Sequence, residues 1–164
     1  MPVGQPCTAR ACKFREKETL DGLARPGDVV AARWDTSTEI VLRILLVEDD
    51  ARLATELCST LEELAPVRVV GSARAQDEAC AWMDGRTQGC DVAVIDVFLK
   101  RGTGLGVLEH IAKYDQPPRR VVLTNYATRD MHRRCRELGA DAVFDKSTEI
   151  EELVDWLAGA QVRH

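Results

Sequence analysis

RILLVEDD, residues 43–50, and DVAVIDVF, residues 91–98, share one plan: an apolar, largely branched run that meets carboxylate at its carboxyl end. Strands with one wet face alternate apolar and polar residues. Runs this short and this continuous read instead as strands buried on both faces, as in a parallel sheet sandwiched by helices. Working outward, residues 67–72, 120–124 and 142–145 supply three more strand candidates. Between them, apolar residues recur at helical spacing: Leu53, Leu57, Leu61 and Leu64; Leu105, Leu108 and Ile111; Met131, Cys135 and Leu138; Ile150, Leu153, Val154 and Leu157. The stretch around Ala79, Trp82 and Met83 supplies the remaining helix. These stripes are core faces. Gly139, after Glu137-Leu138, marks a helix stop. Strands alternating with helices define a doubly wound α/β domain.

The bulk composition agrees. The chain has 164 residues, 45% apolar and 30% charged, which fits an ordinary globular domain. Its formal net charge of -5 argues against a nucleic-acid-binding module, which concentrates basic residues on one face. No stretch approaches the run of about 18 apolar residues that spans a bilayer, and the first twenty residues lack the apolar core of a secretory signal. A cytoplasmic location is expected. The cysteines at 7, 12, 58, 80, 90 and 135 form no CxxC pair and no zinc spacing, so Cys58, Cys80, Cys90 and Cys135 are read as mostly buried thiols. Residues 1–40 hold Pro2, Pro6 and Pro26, equal numbers of acidic and basic residues, and no sustained period, and are read as a flexible extension. The ordered body is expected over residues 43–160.

In a doubly wound sheet, ligands bind outside the carboxyl ends of the strands, where the strand order reverses. Glu48, Asp49, Asp50 and Asp96 would converge there. Asp50 also suits the N-cap of the following helix. Several carboxylates at one edge raise one another's pKa or require a cation, and a hard divalent ion such as Mg²⁺ meets that need. Thr124 ends the fourth strand and Lys146 follows the fifth, adding a hydroxyl and an ammonium to the same crevice. A carboxylate nucleophile, a metal, a hydroxyl and a lysine suffice for phosphoryl transfer to an aspartate, which is mostly in-line positioning and charge stabilisation.

ILLVEDD, DVAVIDVFLKRGTGLGVLEHI, VVLTNYAT and GADAVFDKS, in this order and spacing, resemble the receiver domain of two-component response regulators. The resemblance covers residues 43–160 and implies a flavodoxin-like five-stranded parallel sheet of order 2-1-3-4-5 with five helices. It implies Asp96 as phosphoacceptor, Glu48 and Asp49 as the acidic pair for Mg²⁺ together with Asp96, and the backbone carbonyl of Phe98 as a further metal ligand. Thr124 becomes the switch hydroxyl and Lys146 the phosphate-binding lysine. The implied partners are a sensor histidine kinase or a histidine phosphotransfer protein, and an unknown downstream protein, without DNA or membrane. Few residues follow the last helix, so no helix-turn-helix output domain is expected. The chain is expected to be a signalling protein rather than an enzyme, assisting its own phosphorylation and dephosphorylation.

Several positions depart from the family pattern. Lys100 stands where Pro is common, followed by Arg101, and both read as a solvated loop. Asn125 stands after Thr124, where a small residue is usual. Phe98 and Tyr126 flank the path for attacking water. Val143 takes the position of the family's switch aromatic, with Phe144 one residue later. Ser147 replaces the Pro after Lys146 and resembles a helix N-cap, with a trans peptide bond in that loop. His132, Arg133, Arg134 and Arg136 share a helix used for partner contacts in the family. The rival reading is a phosphorylation-independent binding module of the same fold. A flavin-binding protein is disfavoured by the acidic pocket, and a haloacid-dehalogenase-type phosphatase by Phe98 where that chemistry needs a second Asp.

Overall fold

The computed structural model describes residues 41–86 and 89–160. The proposed extension over residues 1–40 lies outside the described residues. The elements are β1 (Leu42–Val47), α1 (Ala51–Leu64), β2 (Val67–Ala73), α2 (Gln76–Arg86), β3 (Val92–Ile95), α3 (Gly104–Ile111), β4 (Arg119–Thr124), α4 (Arg129–Glu137), β5 (Ala142–Asp145) and α5 (Ile150–Ala160). The strands form one sheet of order β2-β1-β3-β4-β5, and every neighbouring pair is parallel. This is the flavodoxin-like architecture.

The continuous apolar runs are explained by burial on both faces. Ile44, Leu46, Val92, Val94, Val121 and Leu123 point to one side, where Leu57 and Leu61 of α1 and Leu153 and Leu157 of α5 cover them. Leu45, Val47, Ala93, Ile95 and Val122 point to the other, against Met83 of α2, Leu108 and Ile111 of α3 and Cys135 of α4. Complete burial of such side chains stabilises by about 1.5–3 kcal/mol each. Among the described residues no helix is long and apolar enough to cross a membrane.

Helix ends follow local chemistry. The Asp50 carboxylate accepts the N–H groups of Arg52 at 2.9 Å and Leu53 at 3.0 Å, capping α1 as expected. Helix α4 closes at Gly139, whose φ of 86° lets its N–H reach Arg136 O while Ala140 N–H reaches Cys135 O. Those two bonds make a Schellman stop.

Two expectations are corrected. Leu64 is 58% exposed, not part of the core stripe, because the chain leaves the helix at Ala65, and Ala65 takes the buried place. Ser147 is exposed and does not cap a helix, since α5 begins only at Ile150. Its N–H donates to Asp145 at 2.7 Å, and the Glu149 carboxylate accepts Asp145 N–H at 2.7 Å, so two carboxylates organise that turn. The described residues contain no cis peptide bond.

Candidate functional site

Strands β1 and β3 are adjacent, and the order reverses between them. The strands stop at Val47 and Ile95, so Glu48 and Asp96 stand just past their carboxyl ends. Strand β3 is shorter than the run DVAVIDVF because the chain turns at once toward α3. Gly104 N–H donates to Val97 O at 2.9 Å, and a Cβ on Gly104 would lie 2.0 Å from the Asp96 carbonyl oxygen. Only a glycine allows the helix start to approach the Asp96 backbone so closely.

Among the described residues, the buried polar or charged ones are Glu48, Asp96 and Thr124, at 2%, 7% and 0% exposure. All three stand at the carboxyl edge of the sheet. Burial of polar groups is costly unless they are partnered, so their concentration at one place marks a site. The Lys146 ammonium, with 8% of its side chain exposed, supplies the partner: it donates to Glu48 Oε2 and, at 2.7 Å, to Asp96 Oδ2. Asp96 Oδ1 accepts Phe98 N–H at 3.2 Å, so both oxygens of this carboxylate are held.

Burial pushes the Glu48 carboxyl above its ordinary value, and the ammonium of Lys146 opposes that shift without cancelling it. For Lys146, burial pulls the other way, but its hydrogen bonds to Asp96 and Glu48 outweigh it and leave the ammonium above the usual lysine value. Each member of the pair thus favours the charged form of the other.

Glu48, Asp49, Asp50, Asp96, Lys100 and Lys146 line a cavity of about 270 Å³, together with Phe98, Asn125 and Tyr126. Glu48, Asp49 and Asp96 each offer a carboxylate oxygen within 4.8 Å of the others, a spacing that suits a hard divalent cation. The donor set is all oxygen, and four carboxylates face two ammonium groups across the cavity. The residues present thus fit a divalent ion.

Thr124 ends β4, where the sequence placed it. It is fully buried at the end of β4, its Oγ1 accepts Tyr126 N–H at 3.3 Å, and the next residue, Asn125, takes the place on the cavity wall. The exposed rings of Phe98 and Tyr126 meet edge to face with centroids 5.0 Å apart. Lys100, read from sequence as a solvated loop residue, reaches to 3.8 Å from Asp49. The only sequence signal for it is its place four residues after Asp96, where a lysine can swing back over the strand ends. Arg101 turns away and pairs with Asp77 at 3.2 Å and Glu78 at 2.9 Å on α2.

Residues 44–158 match the family model of the response regulator receiver domain. The chain belongs to the response regulator receiver family. Relatives of this receiver include the transcriptional regulatory protein PdtaR of Mycobacterium tuberculosis, 30% identical over 120 residues, covering 73% of this chain and 57% of that protein. The response regulator UvrY of Escherichia coli is 25% identical over 114 residues, covering 70% of this chain and 51% of its own. The chain thus spans about half the length of the curated relatives it matches. Among solved structures, a LuxR-family two-component response regulator from Aurantimonas aligns with a TM-score of 0.66 and 27% identity, over 73% of this chain and 86% of that one. The CheX-CheY-BeF3-Mg complex of Borrelia burgdorferi shares the fold, with a TM-score of 0.67 at 16% identity, over 74% and 90% of the two chains.

Proposed function

We propose that this receiver takes a phosphoryl group onto Asp96 from the phosphohistidine of a sensor histidine kinase or a histidine phosphotransfer protein, and signals by contact with a downstream protein. The observation that carries this reading is the burial of Asp96 beside Lys146 at the one sheet edge where Glu48, Asp49 and Thr124 also gather. An Asp96 oxygen forms the new bond to phosphorus in line with the departing imidazole nitrogen. The P–N bond breaks, and its electron pair leaves on the imidazole. Lys146 is already bonded to Asp96 and neutralises charge on the arriving phosphoryl oxygens. The Thr124 hydroxyl exchanges its bond to Tyr126 for one to the phosphoryl group.

Glu48, Asp49, Asp96 and the Phe98 carbonyl would hold Mg²⁺, which supplies charge neutralisation at the phosphoryl oxygens when bound. On this reading the protein works in the cytoplasm, is a phosphoprotein of a two-component system rather than an enzyme, and touches neither DNA nor membrane. The exposed rings of Phe98 and Tyr126 beside the cavity narrow the path of attacking water and prolong the phosphoryl state.

A second reading has one specific observation in its favour. Val143 is buried in the core, and Phe144 packs on the opposite face of the sheet, so β5 offers no aromatic to follow Thr124. A receiver fold that binds partners regardless of phosphorylation would look the same there. Incubation with an acyl phosphate and Mg²⁺, followed by intact mass measurement, separates the two. The wild-type chain should gain one phosphoryl group and Asp96→Ala none. No gain in wild type with any donor, including phosphorylated histidine kinases, would leave the second reading standing.

A further inference from the structure

We propose that Lys100 is a positioning residue for the phosphoryl donor: a second cation at the cavity mouth that draws small dianionic donors of the acyl phosphate class toward Asp96. This rests on Asp96 being the phosphoryl acceptor.

The two adjacent basic residues of the β3–α3 loop have opposite fates. Arg101 is neutralised by Asp77 and Glu78, and the loop is tied to α2 beside it. Gln76 N–H donates to Arg101 O at 3.1 Å, and Gln76 Oε1 accepts Thr103 N–H at 2.9 Å. With the following residues anchored, Lys100 is left pointing the other way, its Nζ 3.8 Å from Asp49 and its side chain 80% exposed. Lys146 is nearly buried and committed to Glu48 and Asp96, so it is the inner cation and Lys100 the outer one.

The charge balance gives the outer cation its role. Four carboxylates face two ammonium groups in the cavity, so a bound divalent ion brings the lining to balance only while Lys100 is charged; without it the loaded site keeps a net negative charge that repels a dianion before it can reach Asp96. A cation within a few ångströms of the mouth lies well inside the screening length of about 8 Å at physiological salt. As a static pair with Asp49 it contributes little, because it is exposed. As a charge on the approach path it acts on every encounter. The same charge opposes a divalent ion at Glu48, Asp49 and Asp96, so its effects on the two ligands have opposite signs.

The transfer itself is balanced. An Asp96 oxygen forms the O–P bond, the bond from phosphorus to the donor's acyl oxygen breaks, and its electron pair leaves on the donor carboxylate. No further reagent takes part.

The experiment compares wild type, Lys100→Gln and Lys100→Arg. Mg²⁺ affinity is read by titration calorimetry, and the second-order rate of phosphorylation by acetyl phosphate is read at saturating Mg²⁺ over a salt series. Removing the charge should tighten Mg²⁺ by about three- to tenfold and slow phosphorylation by a similar factor, after discounting for exposure. The variant's rate should fall less steeply with salt, and Lys100→Arg should restore wild-type behaviour in both assays. Tighter Mg²⁺ with an unchanged rate and salt slope would reduce Lys100 to a counter-ion of Asp49 and overturn the proposal, as would no change in either. If wild type labels and Lys100→Gln labels equally fast, the steering role alone falls. If wild type takes no phosphoryl group from acetyl phosphate, the proposal for Lys100 falls, and the acceptor reading falls with it only when phosphorylated histidine kinases also leave Asp96 unlabelled.

Discussion

Replacing Lys146 by Met tests whether the site is held together by shared charge. Three side chains are involved, with 8% of Lys146, 3% of Glu48 and 8% of Asp96 exposed. Removing the ammonium leaves two buried carboxylates facing each other with no cation in contact, since Lys100 sits at Asp49. Breaking a buried ion pair from one side costs about 3–5 kcal/mol. Glu48 can escape part of that cost by taking up a proton, so a loss of about 3 kcal/mol is expected at neutral pH. In a domain of this size that lowers Tm by at least about 10 °C.

The pH dependence gives the sharper test. The folded-state value of Glu48 lies above its ordinary 4.5, chiefly through burial, so its contribution is fully present below that value and is lost as pH rises through the folded one. Lys146 opposes the shift, and without it the folded value rises further. Lys146 itself lies above its ordinary 10.5, so what it contributes in wild type is present throughout the neutral range and is lost only as pH rises past the folded value. The stability deficit of Lys146→Met should therefore grow between about pH 5 and about pH 8, and shrink toward acid. Urea melts of both proteins across that range, with and without Mg²⁺, measure it. Mg²⁺ should recover part of the deficit, and Glu48→Gln in the same chain should recover more than it does in wild type. A deficit that does not vary with pH, or a variant as stable as wild type, would refute the shared-charge account.

Phe98→Asn and Tyr126→Glu should each shorten the life of the phosphoryl group by several-fold, followed as loss of label after donor removal; unchanged decay in both would remove any shielding role for the rings. Gly104→Ala should destabilise by more than about 2 kcal/mol in denaturant melts, because its Cβ would overlap the Asp96 carbonyl oxygen and both segments are backbone. Gly139→Ala should cost about 1 kcal/mol, since φ there is 86° and the Schellman stop depends on it.

The fold was legible because two features coincide in the text of the chain: apolar runs of strand length, and acids at their ends. Burial on both faces forces the first, and placement at the edge where the order reverses explains the second. What was not legible depends on segments distant in sequence. Lys100 and Arg101 are neighbours in one loop, and their opposite directions are decided by Asp77 and Glu78, which α2 brings alongside. Ser147 has the chemistry of a cap, but Asp145 and Glu149 take over that turn. Leu64 keeps the helical spacing and still emerges, because the helix ends on it.

The place of the aromatic on β5 has consequences for how a phosphoryl group would be read. Successive strand residues face opposite sides, so moving an aromatic by one residue moves it to the other layer. Phe144 accordingly packs with the α1 and α5 layer, while Val143 fills the other. Two other rings are tied to the proposed acceptor and to Thr124 instead. Phe98 N–H is bonded to Asp96 Oδ1, and Tyr126 N–H to Thr124 Oγ1. Each bond would be disturbed if Asp96 carried a phosphoryl group and the Thr124 hydroxyl turned to it. The two rings already touch at 5.0 Å, with half or more of each exposed. A change at the acceptor would therefore surface as a rearranged Phe98–Tyr126 pair above the strand ends, without passing through β5.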